Sequence, residues 1–368
     1  MIYTVLPLSV RTVVSNDDLL NEILLRLPVI SIVLFKLVSK RWLSLIKSPT
    51  FIRRRSRIPN IDTPSGLFIE HRLDTNVYGL VPLDIRIRSR LENTFKTGAC
   101  IRSNAIVMQS CNGLFLCYVR PNHKFCIYNP TVNLFKMLPE PHYSEPEHHL
   151  FIKMAFDPTK SPYYKVMHAT FINDYYPPES YRIQIYSSET GIWSNVYEHS
   201  GPFEGLVSAI YCNNAIHWIN HGDNGKLHYK LDFVNTAVIL TKIQLPVTVK
   251  RKRSCKLFES RGSLLLLGMD NTCSHDQLNV YKMGNRDSEW SLKYSVNKRR
   301  ISLGGVWCIA LGEREEDSFM VIELNGKVVL YNFVLKTFRA LPEVQLMLSK
   351  IRFPLCNIFL LTASFASV

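Results

Sequence analysis

The nine cysteines leave one over after any pairing, and no two of them stand as C-x-x-C. That spacing supports neither a disulfide scaffold nor a zinc ribbon. Cys117, Cys126, Cys308 and Cys356 lie in apolar stretches, where a free thiol behaves as a small buried hydrophobe, so the usage fits a reduced, intracellular chain. Long hydrophobic runs are missing as well. Beyond the first fourteen residues, MIYTVLPLSVRTVV, the longest aliphatic run is 264–267, far short of the ~20 residues that span a bilayer. The opening stretch lacks a basic start and a small-residue cleavage site, so no secretory signal is expected. A soluble protein of the cytoplasm, the nucleus or both is the expectation, with no membrane partner. No G-x-S-x-G, H-E-x-x-H or phosphate-loop string occurs, and no cysteine has the surroundings of an activated thiol. An intrinsic catalytic site is therefore not expected, nor is a cofactor. His142, Glu147, His148 and His149 come nearest to a metal-ligand set. They sit in the Pro-rich string PEPHYSEPEHH at 139–149, without a cysteine at finger spacing, and read as a solvated connection.

What is present is apolar and aromatic. Hydrophobic residues are 46% of the chain and Phe, Trp and Tyr are 11%, which permits a large core and leans towards strands. The 368 residues suit a small module joined to a large one. The formal net charge is +14, with much of the excess in Arg53-Arg54-Arg55-Ser56-Arg57, Lys250-Arg251-Lys252-Arg253 and Lys298-Arg299-Arg300. Such runs are read as solvated loops or linkers, and the second also matches a nuclear-localisation pattern.

Residues 15–51 carry helical periodicity. Leu19, Leu20, Ile23, Leu24 and Leu27 repeat at three- and four-residue spacing. Ser15 with Asp18 resembles a capping box, and Asp17 and Asp18 suit the positive end of a helix dipole. Pro28 ends this helix and can open a second, over about 29–37; a third is expected from Ser39 to about residue 46, stopped at Ser48-Pro49. Three helices in about 35 residues cannot hide all of Leu20, Ile23, Leu24, Ile32, Val33, Phe35, Val38, Trp42 and Leu45. Surplus apolar surface on a unit this small predicts a covering partner.

The strings Asp18-Leu19-Leu20-x-Glu22-Ile23-Leu24-x-Arg26-Leu27-Pro28-Val29, Phe35-Lys36-x-Val38-Ser39-Lys40-x-Trp42-x-Ser44-Leu45-Ile46 and Ser48-Pro49-x-Phe51 resemble an F-box of the form common in plant F-box proteins. The resemblance implies docking on a Skp-type adaptor, and through it on cullin and RING subunits. It assigns the adaptor contact to Leu20, Ile23, Leu24, Leu27, Pro28, Val38 and Trp42. Two positions depart from the pattern: Val14-Ser15-Asn16 stands where a Leu-Pro pair is usual, and Ile30 where a basic residue is common.

From about residue 65 short aromatic and β-branched runs alternate with turn residues, the texture of a sandwich, barrel or propeller. Tyr128 leads to Phe135, Tyr186 to Trp193, Leu231-Asp232-Phe233 to Val238, Tyr281-Lys282-Met283 to Trp290, and Tyr331 to Phe338. The spacing of about 50 residues fits four-stranded blades of kelch type. Segments 66–71 and 356–364 are also strand-like, and pairing them would complete a sixth blade and remove exposed edges. The same stretch resembles the kelch-like, F-box-associated domain of the plant family. Its carriers are Ser110-Cys111-Asn112-Gly113-Leu114, Tyr128-Asn129-Pro130-Thr131, Phe156-Asp157-Pro158 with Tyr164-Lys165-Val166, Ile185 to Trp193, and Asn214-Ala215-Ile216-His217-Trp218. The double glycine of animal kelch repeats has its nearest counterpart in Gly304-Gly305. Trp218 reads as a blade-packing residue, and the Tyr-, Asn- and Pro-rich loop 173–179 as surface.

The expected architecture is α+β and multidomain: a tail over 1–14, a small three-helix F-box over 15–52, a basic linker over 53–64, and a mostly antiparallel all-β propeller-like domain of about six blades over 65–368. The expected role is the non-catalytic substrate-recognition subunit of a Skp–cullin–F-box ubiquitin ligase, its protein substrate unspecified. Two alternatives stay open at this point. One is a basic nucleic-acid-binding propeller, for which binding would fall steeply with salt. The other is an F-box protein whose adaptor contact has decayed.

Overall fold

The computed structural model describes residues 12–13, 15–56, 58, 66–71, 77–83, 105–120, 123–142, 151–172, 180–200, 203–222, 225–234, 237–246, 249, 254–269, 277–284, 289–297, 303–324, 327–342, 356–362 and 364–368. The metal-like cluster at His148 and His149, the loop 173–179 and the basic runs 250–253 and 298–300 lie outside them.

Among the described residues, four helices with defined bounds precede the strands: α1 (Asp17–Leu25), α2 (Val29–Phe35), α3 (Lys40–Lys47) and α4 (Pro49–Ser56). Asn16, one residue after Ser15, caps α1, its Oδ1 accepting from the amides of Asp18 (2.9 Å) and Leu19 (3.2 Å). Ser15 Oγ instead donates to the Thr12 carbonyl. Ser39 Oγ caps α3 by accepting from the Trp42 amide. The fourth helix corrects the sequence reading. Pro49 does not stop the module; it opens α4, because a first-turn residue needs no amide proton, and Ser48 Oγ accepts from the Phe51 amide. Arg53–Arg55 are thus helical rather than linker. Arg55 is buried, donating to the carbonyls of Ile58 and Leu27.

Beyond them, apart from connections and two short 3-10 helices at Glu204–Ser208 and Glu315–Asp317, the described chain is antiparallel sheet. β1 (Gly66–His71) and β2 (Val77–Pro82) precede five larger units. These are β3 (Ala105–Cys111), β4 (Leu114–Val119), β5 (Lys124–Asn129) and β6 (Leu134–Met137); then β7 (Ile152–Ala155), β8 (Lys165–Phe171), β9 (Ser180–Ser187), β10 (Ile192–Trp193) and β11 (Tyr197–Ser200); then β12 (Ile210–Cys212), β13 (Ala215–Gly222), β14 (Gly225–Val234) and β15 (Ala237–Ile243). The fourth unit is β16 (Ser254–Ser260), β17 (Ser263–Met269), β18 (Gln277–Met283) and β19 (Trp290–Asn297), and the fifth is β20 (Leu303–Ala310), β21 (Phe319–Leu324), β22 (Lys327–Asn332) and β23 (Phe338–Ala340). β24 (Cys356–Leu361) returns to β1, giving the three-stranded order β2-β1-β24. The five larger sheets have four strands each, except the second, in which β11 adds to β9.

Every expected hairpin is found. Tyr128 faces Phe135, Tyr186 faces Trp193, Phe233 faces Val238, Met283 faces Trp290 and Tyr331 faces Phe338, each across the last two strands of the main path of a sheet. The expected closure is found too, with Leu67 opposite Leu360. The innermost strands β3, β7, β12, β16, β20 and β24 touch in a closed cycle. The central strands are buried on both faces, because each face meets a neighbouring sheet. In β4, Leu114 and Leu116 join one apolar cluster with Ile152 and Met154, while Phe115 and Cys117 join another with Phe68 and Leu361. Such stacking lets small sheets, which cannot bury both faces alone, form a stable ring. The helices plug one junction of it: Leu24, Ile32, Val33, Ile46 and Phe51 share a core with Phe68, Phe115, Tyr128 and Phe365.

Candidate functional site

The module presents two apolar faces, and helix geometry separates them. Leu20 and Leu24, one turn apart, enter the shared core and are 2% and 0% exposed. Leu19 and Ile23, also one turn apart, point the other way and remain 43% and 42% exposed. After α2 the chain turns and leaves Leu37 and Val38 at 55% and 58%. Arg41 ties the start of α3 to the start of α1: its Nε donates to Asp17 Oδ1 at 2.9 Å and its Nη2 to the Ser15 carbonyl at 2.8 Å. Glu22 pairs with Arg54, which holds its carboxyl below the ordinary range.

The seven residues implied by the resemblance therefore divide. Ile23, Pro28 and Val38 are exposed, Leu27 and Trp42 are half-buried, and Leu20 and Leu24 are interior. Trp42 meets Phe35 edge-on at 5.1 Å between ring centroids. Leu19 and Leu37 join the open ledge and were not among the seven. The i, i+4 pairing of Leu19 with Ile23 was the signal that could have found Leu19, since a helix apolar on opposite sides needs two covers. An apolar ledge stays open, so this chain's own sheets cover only one side of the module.

In the sheets, Trp218 is fully buried and stacks between Phe203 (5.5 Å) and Tyr229 (5.7 Å), a packing residue as expected. Among the described residues no group of three or more His, Cys, Asp or Glu could hold a metal ion, and no helix is long and apolar enough to cross a membrane. The first basic run is partly absorbed by structure, through Arg54 on Glu22 and buried Arg55.

Comparison with known proteins agrees with this architecture. The family model described as "F-box protein At3g26010-like, beta-propeller" matches residues 87–343, and the F-box domain model matches residues 16–54. The F-box protein At5g07610 of Arabidopsis thaliana is 30% identical, over 92% of this chain and 88% of its own length. F-box protein At5g03970 of the same plant is 26% identical, over 79% of this chain and 71% of that protein. With the described helices at one junction of a closed ring of sheets, and both parts matched, the chain belongs to the plant F-box proteins that carry a C-terminal β-propeller.

Proposed function

We propose that this chain is the substrate-recognition subunit of a Skp–cullin–F-box ubiquitin ligase and contributes no catalytic group of its own. The observation that carries the reading is the open ledge of Leu19, Ile23, Leu37 and Val38 on the helical module. Fully burying an aliphatic side chain contributes ~1.5–3 kcal/mol. Four half-exposed ones contribute on the order of half of that each, which a partner must supplement to meet the cost of association. A Skp-type adaptor is the partner the F-box implies. The target is taken at the sheet ends away from the helices. There the stretch 173–179 joins β8 to β9. Variable connections on a rigid scaffold are where recognition residues concentrate. Catalysis is then by proximity: the receptor raises the effective concentration of target near a charged conjugating enzyme held elsewhere in the assembly.

Co-purification of the full chain with a Skp-type adaptor tests this. Ile23→Asp with Val38→Asp is expected to weaken capture by about tenfold or more, as charges buried in an apolar contact do, at an unchanged unfolding midpoint. Leu27→Asp with Pro28→Ala acts in the same direction. Undiminished capture by the folded Ile23/Val38 double variant would sink the reading.

A further inference from the structure

The chain after β24 turns back onto both the first four-stranded sheet and the helical module. Thr362 and residues 364–366 run across the turns of the first four-stranded sheet. There the Asn129-Pro130-Thr131 turn holds them through buried groups. Asn129 Nδ2 donates to the carbonyls of Ser364 (3.1 Å) and Ala366 (2.8 Å). Asn129 Oδ1 accepts from the Thr131 amide, and Thr131 Oγ1 accepts from the Ser364 amide at 2.9 Å. The neighbouring turn makes room: a Cβ on Gly113 would stand 2.4 Å from Ser364 Cβ and 2.6 Å from the Thr362 carbonyl oxygen.

Held in this way, Phe365 is 2% exposed and reaches the helical module. Its ring meets Phe51 of α4 edge-on at 5.9 Å, and the Lys36 ammonium, just after α2, lies 5.4 Å from its centroid. The same ammonium donates to the Thr131 carbonyl at 3.0 Å. One side chain thus grips the segment and its socket together, in a place where burial pushes the Lys36 pKa down to about 8.

We propose that Thr362 and residues 364–366 form a clamp that sets the orientation of the helical module on the propeller, with Phe365 and Lys36 as positioning residues. The Ser-Cys-Asn-Gly and Tyr-Asn-Pro-Thr strings of the first sheet are its socket. The consequence for transfer rests on the ligase reading above: a receptor that holds its adaptor end rigidly against its recognition end presents the target at one geometry. The clamp itself does not depend on that reading.

The test is the distance distribution between spin labels at Ser44 on α3 and Ile239 on β15, both exposed. They are placed in the full chain through unnatural amino acids. The parent is expected to give one narrow peak. Phe365→Ala and Lys36→Met are each expected to broaden or split it, while Lys47→Met, on the exposed side of α3, leaves it unchanged. If Phe365→Ala fails to fold, Lys36→Met decides alone. A distribution as narrow as the parent's in the folded variants would overturn the clamp. Adaptor capture by the unsubstituted chain is measured in parallel. Its failure would remove the ligase reading and leave the clamp standing.

Discussion

His217 and His228 face one another between β13 and β14, Nδ1 to Nε2 at 3.0 Å, with both rings out of solvent. Their protons follow from a third group. His217 Nε2 lies 3.1 Å from the carbonyl oxygen of Cys212, which only accepts, so that nitrogen carries the His217 proton. His217 Nδ1 is then an acceptor, His228 Nε2 must donate to it, and His228 Nδ1 is left as a lone pair. Trp290 brings an indole N–H to the same region, with ring centroids 5.6 Å apart. The chain of donors has one direction, and a proton added to either ring breaks it.

That arrangement predicts an acid-sensitive joint. Burial first, then His217 and Lys230, push the His228 imidazole down to about 3. Its unfolded counterpart titrates near 6.5. Between those values the unfolded chain binds a proton that the folded chain refuses, so stability is lost as pH falls through that window. The site is expected to cost about 2 kcal/mol between pH 7 and pH 5. Urea unfolding of the parent against His228→Gln, which keeps a donor towards His217 and does not titrate, reads the difference. Parallel pH dependence in the two proteins would refute the assignment.

Substitutions one residue apart in α1 should separate core from ledge. Leu24→Ala opens a hole between the helices and Phe68 and Phe115, and is expected to cost 2–5 kcal/mol, roughly what buried leucines cost elsewhere. Ile23→Ala is expected to leave stability within about 0.5 kcal/mol and to reduce adaptor capture. Chemical denaturation and capture on the same preparations give both readings. The reverse ranking in stability would show that the two faces had been exchanged.

Much of this plan is legible in the sequence, and the parts that are not have physical reasons. Strand pairs close in sequence announce themselves: Tyr128 with Phe135 and Tyr331 with Phe338 are joined by short turns, so the register is written locally. The sixth sheet was legible because unpaired ends at 66–71 and 356–361 had no other partner to satisfy them. The capping residue of α1 was missed by one position, since Ser15 and Asn16 are both good caps and only geometry chooses between them. Proline misled at residue 49, where it serves equally to stop one helix and to start the next. Leu20 and Leu24 could not be told from Leu19 and Ile23, because a helix greasy on two sides does not say which side its own chain covers. The clamp left no local trace at all: Asn129 and Ser364 are 235 residues apart.

Ring closure depends on side chains that bridge blades, and Gln109 is one whose loss should be felt. From β3 its Nε2 donates to the Met154 carbonyl at 2.9 Å and its Oε1 accepts from the Met154 amide at 2.8 Å, all of it buried at the start of the next sheet. Gln109→Leu keeps the volume and strands both backbone groups, at ~1–3 kcal/mol each. Gln109→Glu restores only the acceptor and adds a buried charge. Both are expected to lower the urea midpoint by more than Gln184→Leu, which strands one backbone group rather than two, the amide of the exposed His142. Equal midpoints would mean that the bridge does not hold the two sheets together.

The first hairpin turn of three sheets offers a last, internal comparison. Asn112-Gly113, Asn213-Asn214 and Arg261-Gly262 all have positive φ at both residues, the two-residue turn whose twist matches its strands. Asparagine and glycine tolerate that region, whereas arginine at φ 51° carries a steric cost of ~1–2 kcal/mol. Arg261→Asn is therefore expected to stabilise the chain, by up to about 1 kcal/mol. The two glycines separate backbone cost from contact cost. A Cβ at Gly262 meets nothing within 4 Å, so Gly262→Ala should lose about 1 kcal/mol for its φ alone. Gly113→Ala carries the same penalty and must also displace Thr362 and Ser364. It should lose clearly more, and it should broaden the label distances between module and propeller as Phe365→Ala does. Equal losses at the two glycines would show that the segment after β24 yields freely, which a clamp cannot do.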